Sequence, residues 1–153
     1  MKKKLTVKEI LESKGKKKLT QVYVHTPLEA DACEQSEIDM IVSSENNNFK
    51  FLRESSLNTF FTVGLQYGRY LSEYEIIKRS FQLFEMGADA IYCPQSARFI
   101  KAIANEGIPV VGHTGFIPYK LTHYGGFKAY GKNLTEAKKI LKEIYILQDA
   151  GAV

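Results

Sequence analysis

A histidine in a glycine-rich loop is the residue of this sequence best placed to do chemistry. His113 directly follows the apolar run PVVG, residues 109–112, and the loop after it extends to Lys132. Parallel α/β proteins bind their ligands where strands end, so we expect His113 at the mouth of a site. Lys128 and Lys132 add positive charge. Such a loop suits a small anionic substrate, for instance a keto acid.

Two interpretations of this loop stay open on pattern alone. In the first, Gly112 bends the chain sharply after the strand, and Gly125 and Gly126 let the backbone approach a ligand closely. In the second, His113 is a hydrogen-bonded loop residue and the glycines only form turns. The pattern by itself favours the second interpretation slightly.

Several tyrosines also follow predicted strands and could line a pocket, although most tyrosines are packing residues. They are Tyr67, Tyr70, Tyr92, Tyr119 and Tyr124.

The elements that position this loop alternate between short apolar runs and amphipathic runs. Thr6 with Glu9 and Ser72 with Glu75 form capping boxes that predict helix starts. Residues 45–56 are predicted as loop, with at most one or two helical turns. The predicted strands cover residues 21–25, 40–43, 57–65, 88–93 and 109–112, and the predicted helices cover residues 7–14, 28–37, 72–86, 96–105 and a last segment from about Thr135.

This alternation is the signature of βαβ units and predicts an α/β fold with a parallel sheet. Two architectures compete: an open doubly wound sheet and a closed (β/α)8 barrel. Neither GxGxxG nor GxxxxGK[ST] follows a predicted strand, so the fingerprints of dinucleotide and P-loop sites are missing. Five strands would complete an open sheet but would leave a barrel partial.

Composition indicates a cytoplasmic globular protein. Of the 153 residues, 44% are apolar and 25% are charged. No apolar run reaches the roughly 18 residues of a membrane span, and no signal peptide is visible. Cys33 and Cys93 form no CxxC pair, so reduced thiols are expected. Eight lysines in the first eighteen residues contribute to the net charge of +4, but they lack interleaved aromatics. We expect a solvated helix there, no nucleic-acid partner and no membrane partner.

The loop resembles that of the ketopantoate hydroxymethyltransferases, also called 3-methyl-2-oxobutanoate hydroxymethyltransferases. PVVGHTGFIP, residues 109–118, and YGGFKAYGK, residues 124–132, match the family's two halves and the spacing between them. EMGADAIYC and QDAGA fall at the family's helix-to-strand joints. The resemblance is good from about Ser72 to Val153 and weak between Gln21 and Leu65.

The resemblance implies a fold, a reaction and cofactors. The fold would be a (β/α)8 barrel of the phosphoenolpyruvate mutase and isocitrate lyase type, here a partial barrel of about five βα units in one domain, residues 1–153, with a short N-terminal helix. The reaction would transfer a hydroxymethyl group from 5,10-methylenetetrahydrofolate to 2-oxoisovalerate on the pathway to pantothenate. Mg²⁺ would chelate the keto acid and stabilise an enolate. Val153 would lie where the sixth strand begins, so the chain is a fragment or a shortened protein.

The resemblance also assigns positions in the site. The family's three metal-binding acids fall at Ser44, Gly64 and Pro94, none of which is a carboxylate, and a lysine of the family falls at Tyr92. A shift of one residue before Ser72 would place Glu45 at the first metal position. We therefore predict Glu45 as a metal ligand and Ser44, Tyr92 and His113 as substrate contacts. No catalytic residue is predicted within the chain, because the family's catalytic glutamate belongs to the sixth strand.

These assignments leave several hypotheses open about activity, partners and metal. The chain is either a hydroxymethyltransferase-like enzyme or a non-catalytic homologue that serves as a binding or assembly subunit. As partners we expect a small keto acid, and either further copies of the chain or a complementing chain that covers the exposed strand edges. A replacement zinc or iron site built from His25, His113 and Glu45 is a further hypothesis.

Overall fold

The computed structural model describes residues 3–45 and 49–153 and contains one sheet of five parallel strands. The strands pair in chain order, each with the next. All five fall inside or within one residue of the predicted runs. They are β1 Gln21–Tyr23, β2 Met40–Ser44, β3 Phe60–Gly64, β4 Ala90–Cys93 and β5 Val110–Gly112.

Helices alternate with these strands, as predicted, and side chains cap several of them. Capping boxes open three helices, at Thr6, Thr26 and Ser72. The first and third of these were predicted, whereas the box of Thr26 with Glu29 was not. The helices are α1 Val7–Glu12, α2 Pro27–Gln35, α3 Phe49–Glu54, α4 Glu73–Glu85, α5 Ala97–Asn105, α6 Leu121–Tyr124 and α7 Leu134–Asp149, with a 3-10 turn over Pro118–Lys120.

The strand order decides between the two predicted architectures. A doubly wound sheet reverses its strand order in the middle, so that helices cover both faces. Here the order is β1-β2-β3-β4-β5 without reversal. Right-handed crossovers between successive parallel strands place all their helices on one face. The sheet is therefore part of a (β/α)8-type barrel, as the resemblance implied.

Side chains on the helix-covered face of the sheet form the hydrophobic core. Strand residues alternate between faces, so every second side chain points toward the helices. Ile41, Phe61, Val63, Ile91 and Val110 are fully buried there. They pack with helix residues into one cluster. The sheet therefore has a second, inner face, which corresponds to the interior of a barrel.

Helix α1 covers the amino-terminal end of this inner face. Its residues Val7, Ile10 and Leu11 share a cavity of about 190 Å³ with Met40 and Phe60 of the sheet. Ion pairs hold the basic N-terminal segment in place, because Lys4 contacts Asp89 at 2.6 Å and Lys17 contacts Asp39 at 3.0 Å. These lysines thus contribute to tertiary structure rather than forming a purely solvated stretch.

Local polar contacts explain where two strands are shorter than predicted. Strand β1 ends at Tyr23 because the next residues prepare α2: the backbone N–H of His25 donates to the Glu29 carboxylate at 2.6 Å. Strand β3 begins at Phe60 because the Glu34 carboxylate accepts from the Asn58 backbone at 2.8 Å. Helix α3 agrees with the predicted one or two turns, and residues 46–48 of that predicted loop lie outside the described residues.

Gly112 has a different role from the one predicted. It does not lie in the left-handed region of backbone conformation. A Cβ atom there would come within 3.0 Å of Leu147 and 3.1 Å of Ile100. Glycine at this position therefore lets α7 and α5 pack closely on β5. Beyond α7, the backbone N–H of Val153 donates to the carbonyl of Val110 at 2.9 Å, the contact that a next parallel strand would make.

Within residues 3–45 and 49–153, no helix combines the length and apolarity that a membrane crossing requires.

Candidate functional site

A cavity of about 530 Å³ lies on the inner face at the carboxyl ends of the strands. This size is typical of small-molecule pockets. Side chains from all five strands or the loops that follow them contribute to its wall. Its lining residues are Gln21, Tyr23, Val42, Ser43, Ser44, Gly64, Leu65, Gln66, Tyr67, Tyr92, Pro94, Val111, His113, Ile117, Pro118 and Tyr119. Acidic, lysine and arginine side chains are missing from this lining, so aromatic and neutral polar groups dominate the wall.

The predicted substrate contacts Ser44, Tyr92 and His113 all lie on this cavity. Ser44 ends β2, Tyr92 belongs to β4, and His113 follows β5. The parallel register brings the carboxyl ends of these strands to one edge of the sheet. The structure thus brings together three residues that are up to 69 positions apart in the sequence.

Tyr92 and His113 form a hydrogen-bonded pair in the cavity wall. The Tyr92 hydroxyl contacts Nδ1 of His113, and the two rings are 5.7 Å apart. Burial lowers the pKa of His113 below its usual 6.5, and the charge of Lys120 lowers it further. Burial also raises the pKa of Tyr92 above 10. At neutral pH the ring is therefore uncharged. In the tautomer that carries its proton on Nε2, the Tyr92 O–H donates to Nδ1.

Glu45 points away from the cavity into a buried polar network. Its carboxylate is fully shielded from solvent and accepts from Nε of Arg79 at 2.7 Å. The same carboxylate accepts from the Tyr70 hydroxyl and from the Gln66 backbone N–H at 2.9 Å. Desolvation and the contact with Glu45 raise the pKa of Tyr70 to about 12. This network ties the end of β2 to the start of the β3–α4 loop and to α4.

Tyrosines line much of the cavity. Of the five tyrosines that the sequence suggested as pocket residues, only some belong to the lining. Tyr67 and Tyr119 stack with their ring centroids 4.7 Å apart and an interplanar angle of 11° at the pocket wall. Tyr23, which was not a candidate, lies beside them on the lining. Tyr70 instead binds Glu45, and the Tyr124 hydroxyl donates to the Gly115 carbonyl at 3.0 Å.

The loop after His113 folds over the rim through aromatic contacts. Phe116 packs against Tyr124 and Phe127, with ring centroids 5.2 Å and 5.3 Å apart. Lys128 and Lys132 are not part of the cavity lining. The positive charge that the sequence suggested for binding an anion is therefore not supplied to the cavity wall by these two lysines.

Comparison with known proteins shows the family of this chain. A sequence profile described as ketopantoate hydroxymethyltransferase matches residues 46–153. The chain belongs to the ketopantoate hydroxymethyltransferase family. This match begins at residue 46. The resemblance seen in the sequence alone was good only from about Ser72 onward.

Curated members of the family align along nearly the whole chain. The 3-methyl-2-oxobutanoate hydroxymethyltransferase of Kosmotoga olearia is 26% identical over 171 residues, which cover 96% of this chain and 64% of the relative. That of Pyrococcus furiosus is 27% identical over 172 residues, which cover 97% of this chain and 61% of the relative. The chain thus spans less than two thirds of the length of these relatives.

Solved structures with little sequence identity share the fold. The carboxyl transferase domain of Rhizobium etli pyruvate carboxylase superposes with a TM-score of 0.62 at 12% identity, covering 88% of this chain and 26% of that one. The citrate synthase SbnG superposes with a TM-score of 0.61 at 12% identity, covering 96% of this chain and 79% of that one. Both likenesses support the assignment to a barrel-type α/β fold.

The positions that the family resemblance assigns to metal-binding acids converge on the cavity. Ser44, Gly64 and Pro94 all lie on its lining, and none can supply a carboxylate. In the part of the chain that the structure describes, no three His, Cys, Asp or Glu side chains are grouped closely enough to hold a metal ion. The hypothesis of a replacement site from His25, His113 and Glu45 is therefore wrong for this arrangement.

Proposed function

We propose that this chain is a 3-methyl-2-oxobutanoate hydroxymethyltransferase-like protein that binds 2-oxoisovalerate in the rim cavity. The observation that carries the proposal is the convergence of Ser44, Tyr92 and His113 on one cavity in a chain of this family. The apolar wall suits the branched alkyl end of the substrate. The hydroxyl of Ser44 suits its oxygen atoms, and Tyr92 and His113 line the same wall.

The cofactors implied by the family fit the cavity unequally. Mg²⁺ requires hard oxygen ligands, usually carboxylates. Ser44, Gly64 and Pro94 do not supply them, and the carboxylate of Glu45 is held by Arg79 and Tyr70. The described side chains therefore do not fit a magnesium site.

The one-carbon donor fits better. The stacked rings of Tyr67 and Tyr119 offer the kind of flat aromatic surface on which a pteridine ring packs. We assign to these two residues the binding of 5,10-methylenetetrahydrofolate, which would supply the hydroxymethyl group when bound.

Binding of the keto acid can be tested directly. Titration calorimetry should detect 2-oxoisovalerate binding to the wild type, with weaker binding of 3-methylbutanoate, which lacks the oxo group. Val42→Phe should reduce the affinity at least ~10-fold by filling the cavity, since Val42 lines it. The matched control is Leu28→Phe, because Leu28 is 78% exposed on α2 and is not part of the lining. The proposal would be refuted if the wild-type protein showed no binding of 2-oxoisovalerate at millimolar concentration.

A second candidate function is a non-catalytic binding or assembly subunit. The engagement of Glu45 by Arg79 favours it, since this acid is the one nearest the first metal position of the family. The two candidates differ in product formation. Mixing the chain with 2-oxoisovalerate and 5,10-methylenetetrahydrofolate, with and without Mg²⁺, should yield ketopantoate only if the chain is an enzyme.

A further inference from the structure

Among the described residues that line the cavity, one side chain can take up a proton near neutral pH. Among the described residues that line it, His113 is the one basic side chain, and carboxylates are missing from the same set. Its ring is half-buried and uncharged at neutral pH. A base in this cavity must therefore be His113 or a group that passes its proton to His113.

Tyr92 is such a group, and it lies beside His113 in the cavity wall. Its hydroxyl contacts Nδ1 of His113, and both side chains are on the lining. In the tautomer that carries its proton on Nε2, Nδ1 is the acceptor nitrogen of the ring, and it is reached through the Tyr92 oxygen. That oxygen keeps a further lone pair with which it can accept a proton. The pair has the arrangement of a base oriented by its neighbour.

Resting on the proposed function, we propose that Tyr92 and His113 form a proton relay that enolises the bound 2-oxo acid without a metal ion held by this chain. The C3–H bond of the substrate breaks and its proton goes to Oη of Tyr92. The original hydroxyl proton of Tyr92 goes to Nδ1 of His113. The electron pair of the C3–H bond forms the C2=C3 double bond, and the carbonyl π pair moves to the C2 oxygen.

Charge is conserved in this step and compensated locally. The substrate gains one negative charge as the enolate, His113 gains one positive charge as the imidazolium, and Tyr92 stays neutral. The new cation lies one hydroxyl away from the new anion, in a largely apolar cavity where their attraction is strong. Tyr92 is thus assigned as the catalytic residue that touches the substrate, and His113 as the residue that holds the transferred proton.

The relay is tested by exchange of the C3 proton of 2-oxoisovalerate in D2O containing EDTA, followed by NMR at saturating substrate. Wild type should exchange the proton. Tyr92→Phe should lower the rate at least ~100-fold, the usual contribution of a general base, while its affinity changes less than ~10-fold. Tyr74→Phe is the matched control, because Tyr74 is 72% exposed on α4 and should leave the rate unchanged.

A second variant keeps the test independent of folding defects in the first. His113→Ala should lose exchange to a similar extent, and added imidazole should restore part of it, which only a folded cavity permits. The double variant Tyr92→Phe/His113→Ala should be no slower than either single one. Wild-type exchange rates in Tyr92→Phe, no rescue by imidazole, or exchange that requires Mg²⁺ would each overturn the relay. Substrate binding without exchange overturns the relay alone, whereas absence of binding overturns the proposed function.

Discussion

At the scale of single residues, one buried environment keeps a histidine neutral, and another holds a glutamate in a network of polar contacts. His113 faces an apolar cavity and loses the hydration that would stabilise its charged form, so its pKa falls. Glu45, although fully buried, has a guanidinium, a hydroxyl and a backbone N–H as partners. The first residue is available for chemistry, and the second is committed to structure.

The neutrality of His113 leads to a prediction about pH. Because burial disfavours the charged ring, protonation requires a pH below 6.5, the usual midpoint of a histidine. NMR titration of the histidine ring protons, with His113 assigned by His113→Gln, should give a midpoint below 6.5 for this residue. Proton exchange by the relay should accordingly fall as the pH drops through that midpoint. A His113 midpoint at or above 6.5 would contradict the burial argument.

The commitment of Glu45 leads to a prediction about stability. Glu45→Gln removes the charge that faces Arg79, and breaking such a buried pair costs about 3 kcal/mol. Urea unfolding should show this loss. In the control, Glu12→Gln should cost less than ~0.5 kcal/mol, because the ion pair of Glu12 with Lys8 is mostly exposed.

A double variant separates the ion pair from general disruption. In Glu45→Gln/Arg79→Met the arginine is removed as well, so no guanidinium is left without its partner. Part of the lost stability should therefore return. If the double variant is as unstable as the sum of the two single variants, the two side chains are not coupled and the network is less important than its distances suggest.

At the scale of elements, β5 and its helices depend on a residue without a side chain. Gly112 lies under Leu147 of α7 and Ile100 of α5. This contact places α7 against the end of the sheet and thereby directs the chain from His113 into the aromatic loop. The position of the loop is thus coupled to a packing contact on the opposite face of the strand.

Gly112→Ala should test this coupling. The added Cβ would lie 3.0 Å from Cδ1 of Leu147 and 3.1 Å from Cδ1 of Ile100, so these side chains must give way, at a cost of about 1–3 kcal/mol in the free energy of unfolding. In a Leu147→Ala background the same substitution should cost clearly less, since the crowded methyl group is gone. Equal costs in both backgrounds would show that the contact with Leu147 does not limit packing.

At the scale of the whole molecule, apolar side chains of α7 face solvent. Leu141 is 49% exposed and Tyr145 is 57% exposed. Because they are four residues apart on one helix, they lie side by side on its surface. Exposed apolar groups of this kind commonly mark interfaces between subunits. If further copies of the chain assemble, as expected from the sequence, this face of α7 is where we predict their contact.

Sedimentation equilibrium should accordingly give a mass above the 17.3 kDa of one chain. Leu141→Lys/Tyr145→Lys should lower the mass to that of a monomer without loss of helix content, because neither residue belongs to the core. Lys139→Glu, on the other side of α7, is the matched control and should not change the mass. A wild-type monomer at high micromolar concentration would rule out this interface.

Local signals were sufficient for the elements and for part of the site. Apolar strand runs and the capping boxes at Thr6 and Ser72 predicted where β2, β4, β5, α1 and α4 lie, because burial and capping depend on neighbouring residues in the chain. The spacing around His113 predicted the family. The edges of β1 and β3 were misjudged, since Glu29 and Glu34 take up backbone groups that the hydrophobic pattern alone would assign to strands.

The sequence by itself determined the alternation of strands and helices, the family and the presence of His113 at a strand end. Only the tertiary structure decided that the strands follow one another without reversal, that Tyr92 bonds to His113, and that Glu45 turns toward Arg79. The physical reason is distance along the chain. These contacts join residues 21 and 34 positions apart, and which of them form depends on how whole elements pack, information that no local pattern contains.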